Sequence, residues 1–347
     1  MISYHLLKVL ILTSISFFFA LAATPLLSKL LLRYKTGKHI RNDGSTPVFS
    51  ALHASKNGTP NMAGVLIWAT TSILISFFWF FDRILHFESF HILNFLTRKE
   101  TLLPLGAFIG ASLVGLLDDY LDMVGRGHKG RGIRFRHKIF IYAAVSAIGA
   151  LWFYFKLGID YIYIPMLGPL HIGLFFILFF ILVVVGTSFS VNQTDGLDGL
   201  AGGTLLFSFT AYGVISYLQM HYELAAFIGV IIGALLAFLW FNIFPARFFM
   251  GDTGSMGLGT VLGVIAFLVH GEFVLLLIGF VFVIEAASTL IQIFSKKFLK
   301  RKVFLSSPIH NHLQALGWPE ARVTMRLWIV SMVFAIIGVL VYFVGLK

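Results

Sequence analysis

The chain has no cysteine among its 347 residues. That excludes a disulfide framework, a thiolate zinc site and a catalytic thiol. Charge is also scarce: Asp, Glu, Lys and Arg make up 12% of the sequence, against about 25% in soluble domains. Acids are scarcer than bases, 15 against 26. Apolar residues fill the space instead, at 58% of the chain with 38 phenylalanines and a mean hydropathy of +0.91. A water-soluble core cannot hide that much apolar surface, so composition implies an all-α integral membrane protein in contact with the lipid bilayer. The net charge of +11 fits basic loops on a cytoplasmic face, and no nucleic acid is expected as a partner.

A spanning helix needs about 20 mostly apolar residues. Ten runs qualify as candidates: 9–32, 64–81, 102–117, 137–156, 170–190, 200–219, 224–243, 256–270, 272–294 and 327–346. The first is too long for the apolar core of a signal peptide and lacks a small-residue cleavage site, so it reads as a spanning helix that tolerates Pro25. Only His270, Gly271 and Glu272 separate the eighth run from the ninth, which predicts a tight turn. Tyr161–Gly173 reads as a short hairpin outside the membrane. No repeat and no second domain stand out, so residues 1–347 form one polytopic domain. Loops after odd-numbered helices carry 19 Lys and Arg, and loops after even-numbered helices carry 4. The positive-inside rule therefore puts the odd loops in the cytoplasm and both termini outside.

The dense polar motifs all sit in odd loops or at their membrane edges: KNGTPNMAG (56–64), LDDYLD (117–122), NQTDGLDGLAGG (192–203), FNIFPARFFMGDTGS (241–255) and SSPIHNHLQALGWPE (306–320). Asp118, Asp119, Asp195, Asp198 and Asp252 flank apolar runs beside glycines. Carboxylates at membrane depth are costly and tend to be functional. Clustered carboxylates repel one another, and a divalent cation relieves that. Oxygen donors without cysteine favour magnesium or manganese, with substrate phosphate completing the shell. A mere helix cap is a poor alternative for Asp118 and Asp119, because a helix C-terminus already carries partial negative charge. DGLDGLAGG and MGDTGSMGLG open helices where backbone N–H groups can meet an anion, although small residues also serve helix packing. Lys56, Lys129, Lys138 and the run 296–302 could pair with a diphosphate. For Lys129 and the run, anionic lipid is the better partner. His310 and His312 flank Asn311 in the most basic loop and could orient phosphate or act as a base. Glu285, Ser288 and Gln292 form one helical stripe, equally suited to a helix–helix hydrogen bond and to ligand contact.

In this order, GTPNMAG, LDDYLD, NQTDGLDGLAGG, FNIFPARFFMGDTGS and PIHNHLQALGWPE resemble the polyprenyl-phosphate N-acetylhexosamine-1-phosphate transferase superfamily. Within it, the TPxM element and the PIHxHxxxxGWPE loop resemble the phospho-N-acetylmuramoyl-pentapeptide transferase family. The resemblance implies a bacterial plasma-membrane enzyme whose active site faces the cytoplasm, and a possible homodimer. It implies transfer of phospho-MurNAc-pentapeptide from UDP-MurNAc-pentapeptide to undecaprenyl phosphate, with Mg2+ as cofactor, giving lipid I and UMP. It further implies that Asp118 and Asp119 serve catalysis and the lipid phosphate, that Asp252 holds magnesium with the pair, and that His310 is essential. Asn192, Asp195, Asp198 and Asn242 match nucleotide-side positions, and Phe249 matches an aromatic that stacks on uracil. Lys56, Gly251, Ser255, Gln292 and His312 match other site-lining positions. Three departures stand out: Asn311 replaces the middle of three histidines, Asn61 and Ala63 alter the TPxM element, and Asp122 replaces a lysine whose contact Arg126 or Lys129 could supply. Three other readings compete. A sister GlcNAc-1-phosphate transferase shares most of the site. An intramembrane aspartyl protease is suggested by Asp252–Gly254, but leaves the histidine loop without a role. A transporter would place its acids near the midplane.

Overall fold

The computed structural model describes residues 4–33, 56, 58–86, 88–127 and 132–345. Most of the chain is helical, as lipid requires: with no water to satisfy backbone N–H and C=O groups, a spanning segment must bond within itself. The long helices are α1 (Tyr4–Arg33), α2 (Val65–Arg83), α4 (Leu102–Met123), α5 (Phe135–Lys156), α6 (Phe175–Thr194), α7 (Leu200–Leu218), α8 (Tyr222–Asn242), α9 (Gly251–Leu268) and α13 (Glu320–Gly345). Shorter helices are α3 (Glu88–His91), α10 (Leu275–Ile278), α11 (Phe280–Phe294) and α12 (Ile309–Ala315).

Among the described residues, nine unbroken helices are long and apolar enough to cross a membrane, and the remaining expected span runs between the two ends of the bundle in two pieces. The expected span 272–294 is broken into α10 and α11 at Gly279. Its apolar run is continuous, so nothing in the composition marks the break. Other boundaries moved too, three of them at polar ends. Helix α4 continues through Asp118 and Asp119 to Met123, α6 continues through Asn192 to Thr194, and α9 begins at Gly251. Polar residues at these ends face protein partners, so they do not stop the helix.

Helix α9 lies at the centre of the bundle, packed against α4, α6 and α7, and Val261, Leu262 and Ile265 are fully buried. Helix α1 runs along α8, where the Ser16 hydroxyl donates to the Val230 carbonyl at 2.6 Å. Phe18, Phe140, Phe155, Leu182, Trp240 and Ile329 project outward and exposed, as lipid-facing side chains should.

The two ends of the bundle differ. One carries an antiparallel hairpin, β1 (Tyr161–Ile164) with β2 (Gly168–His171), pairing Tyr161 with His171. Here the Tyr163 amide donates to Glu272 at 2.6 Å, and the Met166 amide donates to the Gly345 carbonyl at 3.1 Å. His5 stacks on Tyr222 at 3.8 Å, and buried Lys8 pairs with Glu223 at 2.5 Å. Both described ends of the chain therefore lie at this end of the bundle. The acidic motifs gather at the other.

Candidate active site

The close of α4, the start of α5 and the start of α9 bring three carboxylates together. Asp118 Oδ2 and Asp252 Oδ2 each lie 2.5 Å from the Lys138 ammonium. Asp118 Oδ1 also accepts from the Ile133 amide at 2.6 Å. Asp119 turns to different donors: Oδ2 accepts from the Thr253 amide at 3.0 Å and Oδ1 from Asn61 Nδ2 at 3.2 Å. Asn192 Nδ2 donates to Asp252 Oδ1 at 2.8 Å and to Ser255 Oγ at 2.9 Å. Asp118 and Asp119 are both buried, so the positive groups and N–H donors around them replace water.

Two glycines make this approach possible. Gly251 opens α9 with φ of +74°, a left-handed conformation costly for other residues. A Cβ there would lie 2.6 Å from Asp119 Oδ2. Gly115 lets α4 pass against the α9 backbone, since a Cβ would come within 2.7 Å of the Thr253 nitrogen.

A second group surrounds Lys56. Its ammonium pairs with Asp198 Oδ1 at 2.6 Å and with Glu320, and lies 5.7 Å from the Phe249 ring centre. Glu320 Oε1 also accepts from the Asp198 amide at 2.7 Å, and Asp198 Oδ2 accepts from the Ala246 amide at 2.9 Å. Asn242 works as a staple: Oδ1 accepts from the Gly199 amide at 3.1 Å and Nδ2 donates to the Phe248 carbonyl at 2.9 Å. Phe249 is fixed through its backbone, its amide donating to the Pro60 carbonyl at 2.8 Å.

A third group contains the histidines. His310 Nδ1 lies 2.9 Å from Glu285 Oε2, both side chains buried. Gln292 is engaged by the chain itself: Oε1 accepts from the Val303 and Phe304 amides at 3.0 Å each, and Nε2 donates to the Phe304 carbonyl at 2.9 Å. His312 Nδ1 accepts from the Leu305 amide at 3.2 Å. Both thus shape the 303–305 segment beside the histidine pair.

The turn 195–199 links all three groups. Asn192 ahead of it reaches Asp252, Asp195 closes α6, Asp198 reaches Lys56, and Gly196 packs against the His310 ring. The sequence singles out every aspartate of these groups and Glu285, and offers Lys138 as a partner for a diphosphate. It does not single out Glu320. Lys138 sits in the basic stretch RFRHK, where no spacing distinguishes the inward residue. Glu320 was visible only as a letter of the GWPE motif. Lys129 lies outside the described residues.

Among the described residues, no three His, Cys, Asp or Glu side chains form a metal-holding group. Instead a pair, Asp118 and Asp252, closes on one cation, the Lys138 ammonium. Two carboxylates completed by water and phosphate oxygens are a usual donor set for magnesium. The residues therefore fit that ion in number and in hardness.

The glycosyl transferase family 4 pattern matches residues 101–270, the stretch that carries the carboxylate group, so the bundle and its acidic end define a polytopic membrane glycosyl transferase. A phospho-N-acetylmuramoyl-pentapeptide-transferase of Chloroflexus aggregans is 39% identical over 320 residues, covering 88% of this chain and 82% of that protein. Its counterparts in Listeria welshimeri and Clostridium kluyveri are 36% and 34% identical over 333 and 331 residues, each covering 94% of this chain and 96% of its own length. The chain belongs to the phospho-N-acetylmuramoyl-pentapeptide transferase family. That membership sets aside the protease and transporter readings.

Proposed function

We propose that this chain transfers phospho-MurNAc-pentapeptide from UDP-MurNAc-pentapeptide to undecaprenyl phosphate, yielding lipid I and UMP for peptidoglycan synthesis. The observation that carries the reading is the convergence of three polar groups on the turn 195–199 at one end of an otherwise apolar bundle. Phosphoryl transfer needs positioning and charge stabilisation more than covalent chemistry. Lys138 and Lys56, each shared between two carboxylates, are the cations proposed to meet the diphosphate. Phe249, beside Lys56, offers a face for the uracil. Asp118 and Asp119 lie near the end of α4, between Leu117 and Tyr120, which are exposed. They stand where a lipid phosphate would approach from the bilayer edge.

Magnesium is part of the proposal, held by Asp252 and Asp118 with Asp119 beside them. When bound it would supply Lewis-acid stabilisation of the diphosphate and the departing UMP. Asn192, itself held by Ser255, orients the Asp252 carboxylate, and the Thr253 amide orients Asp119. The Lys and Arg bias of 19 to 4 between the two sets of loops supports a plasma-membrane protein with the acidic end in the cytoplasm and both termini outside.

The test is substrate choice. Purified chain with undecaprenyl phosphate is expected to release UMP from UDP-MurNAc-pentapeptide and not from UDP-GlcNAc. The reverse preference would assign it to the sister GlcNAc-1-phosphate transferases.

A further inference from the structure

Glu285 is fully buried, and among the described residues its Oε1 has no hydrogen-bond partner. Among them, its one side-chain contact of this kind is Oε2 to His310 Nδ1 at 2.9 Å. A carboxylate in a spanning segment is costly, and a leucine would serve packing there better. A carboxylate accepts only, so Nδ1 carries the hydrogen and Nε2 is left for another partner. Nε2 faces the acidic turn: a Cβ placed on Gly196 would collide with it. The ring is thus held from behind by α11 and presented to the loop between Asp195 and Asp198.

We propose that Glu285 is a positioning residue for the transfer, acting through His310. It fixes the ring plane so that Nε2, once protonated, donates to a phosphate oxygen of the bound sugar nucleotide. This inference rests on the function proposed above. A helix-to-helix staple would need neither an acceptor-only group nor a histidine aimed at the turn.

The test uses the full chain in detergent, with UMP release measured for wild type, Glu285→Gln, Glu285→Leu, His310→Ala and the doubles, and with folding checked by size exclusion and unfolding temperature. Glu285→Leu is expected to lower kcat by about a hundredfold, to the level of His310→Ala, with KM for either substrate moving by less than about threefold. Glu285→Gln keeps an oxygen for the Nδ1 hydrogen and is expected to recover at least about tenfold over leucine. Adding either change to His310→Ala should cost nothing further. Folded Glu285→Leu with kcat near wild type would overturn the proposal. If the leucine variant does not fold, losses from Glu285→Gln and His310→Ala that simply add would overturn it. Wild-type turnover with an indifferent Glu285 sinks this inference alone, whereas a folded wild type that releases no UMP sinks the proposed function as well.

Discussion

Asp118 and Asp252 come from different helices and aim their Oδ2 atoms at the same ammonium, each 2.5 Å from Lys138 Nζ. Without that charge, a buried carboxylate and a half-buried one would face each other. Lys138→Met is expected to lower kcat/KM by about a hundredfold, roughly 3 kcal/mol of transition-state stabilisation. It should also lower the unfolding temperature in EDTA and make added magnesium more stabilising than in wild type. Thermal unfolding with and without the ion checks this. Equal magnesium effects on both proteins would count against a shared cation position.

Gly251 is fixed by two independent constraints, its φ of +74° and the 2.6 Å approach of Asp119 Oδ2 to a Cβ at that position. The left-handed conformation alone costs a side chain about 1–2 kcal/mol. Gly251→Ala should lose at least that in stability and displace Asp119 from the Thr253 amide. Activity should fall further than stability. A variant that is destabilised but fully active would show that Asp119 has no need of that placement.

Glu320 holds two donors, the Lys56 ammonium and the Asp198 amide. Glu320→Ala strands the Asp198 amide, at a cost of about 1–3 kcal/mol for a buried group left unpaired, and leaves Lys56 paired with Asp198 alone. Because Lys56 lies beside Phe249, the expected kinetic effect is a KM for the sugar nucleotide about tenfold higher, with a smaller change in kcat. Steady-state kinetics with each substrate varied in turn would separate this from a loss on the lipid side.

At the opposite end, burial pushes the Glu272 carboxyl from 4.5 up to about 7, against the hydrogen bond it accepts from the Tyr163 amide. The folded chain therefore keeps a proton that the unfolded chain gives up. Below pH 4.5 the group costs nothing. Between pH 4.5 and about 7 stability falls as pH rises, and above that the whole penalty applies. Glu272→Gln keeps an acceptor without the titration. It should unfold a few degrees above wild type at pH 8 and match it at pH 4.5. Parallel curves for the two proteins across that range would contradict the assignment.

Much of the architecture is legible in the amino-acid string because lipid leaves the backbone few options. The runs 200–219 and 224–243 become α7 and α8 with shifts of two residues or fewer at either end. Gly279 breaks the ninth span within an unbroken apolar stretch, where hydropathy has nothing to register. Helix ends are misread where polar residues face partners: Asp118, Asp119 and Asn192 look like loop yet continue helices. The site carboxylates are legible because acids are few and flank apolar runs. Their partners are less so. Lys138 is legible as a cation near the site but not as the partner of Asp118 and Asp252, and the contact between Glu285 and His310 joins segments 25 residues apart in the chain. Periodicity shows that Glu285 faces inward but not which residue it meets.

The central claim is that Asp252 and its neighbours hold a magnesium ion against a sugar-nucleotide diphosphate. The most direct measurement is UMP release by the purified chain from UDP-MurNAc-pentapeptide and undecaprenyl phosphate, with magnesium and with EDTA, beside Asp252→Asn. The account predicts turnover that needs the ion and falls by at least about a hundredfold in the folded variant. Undiminished release in EDTA, or by Asp252→Asn, would contradict it.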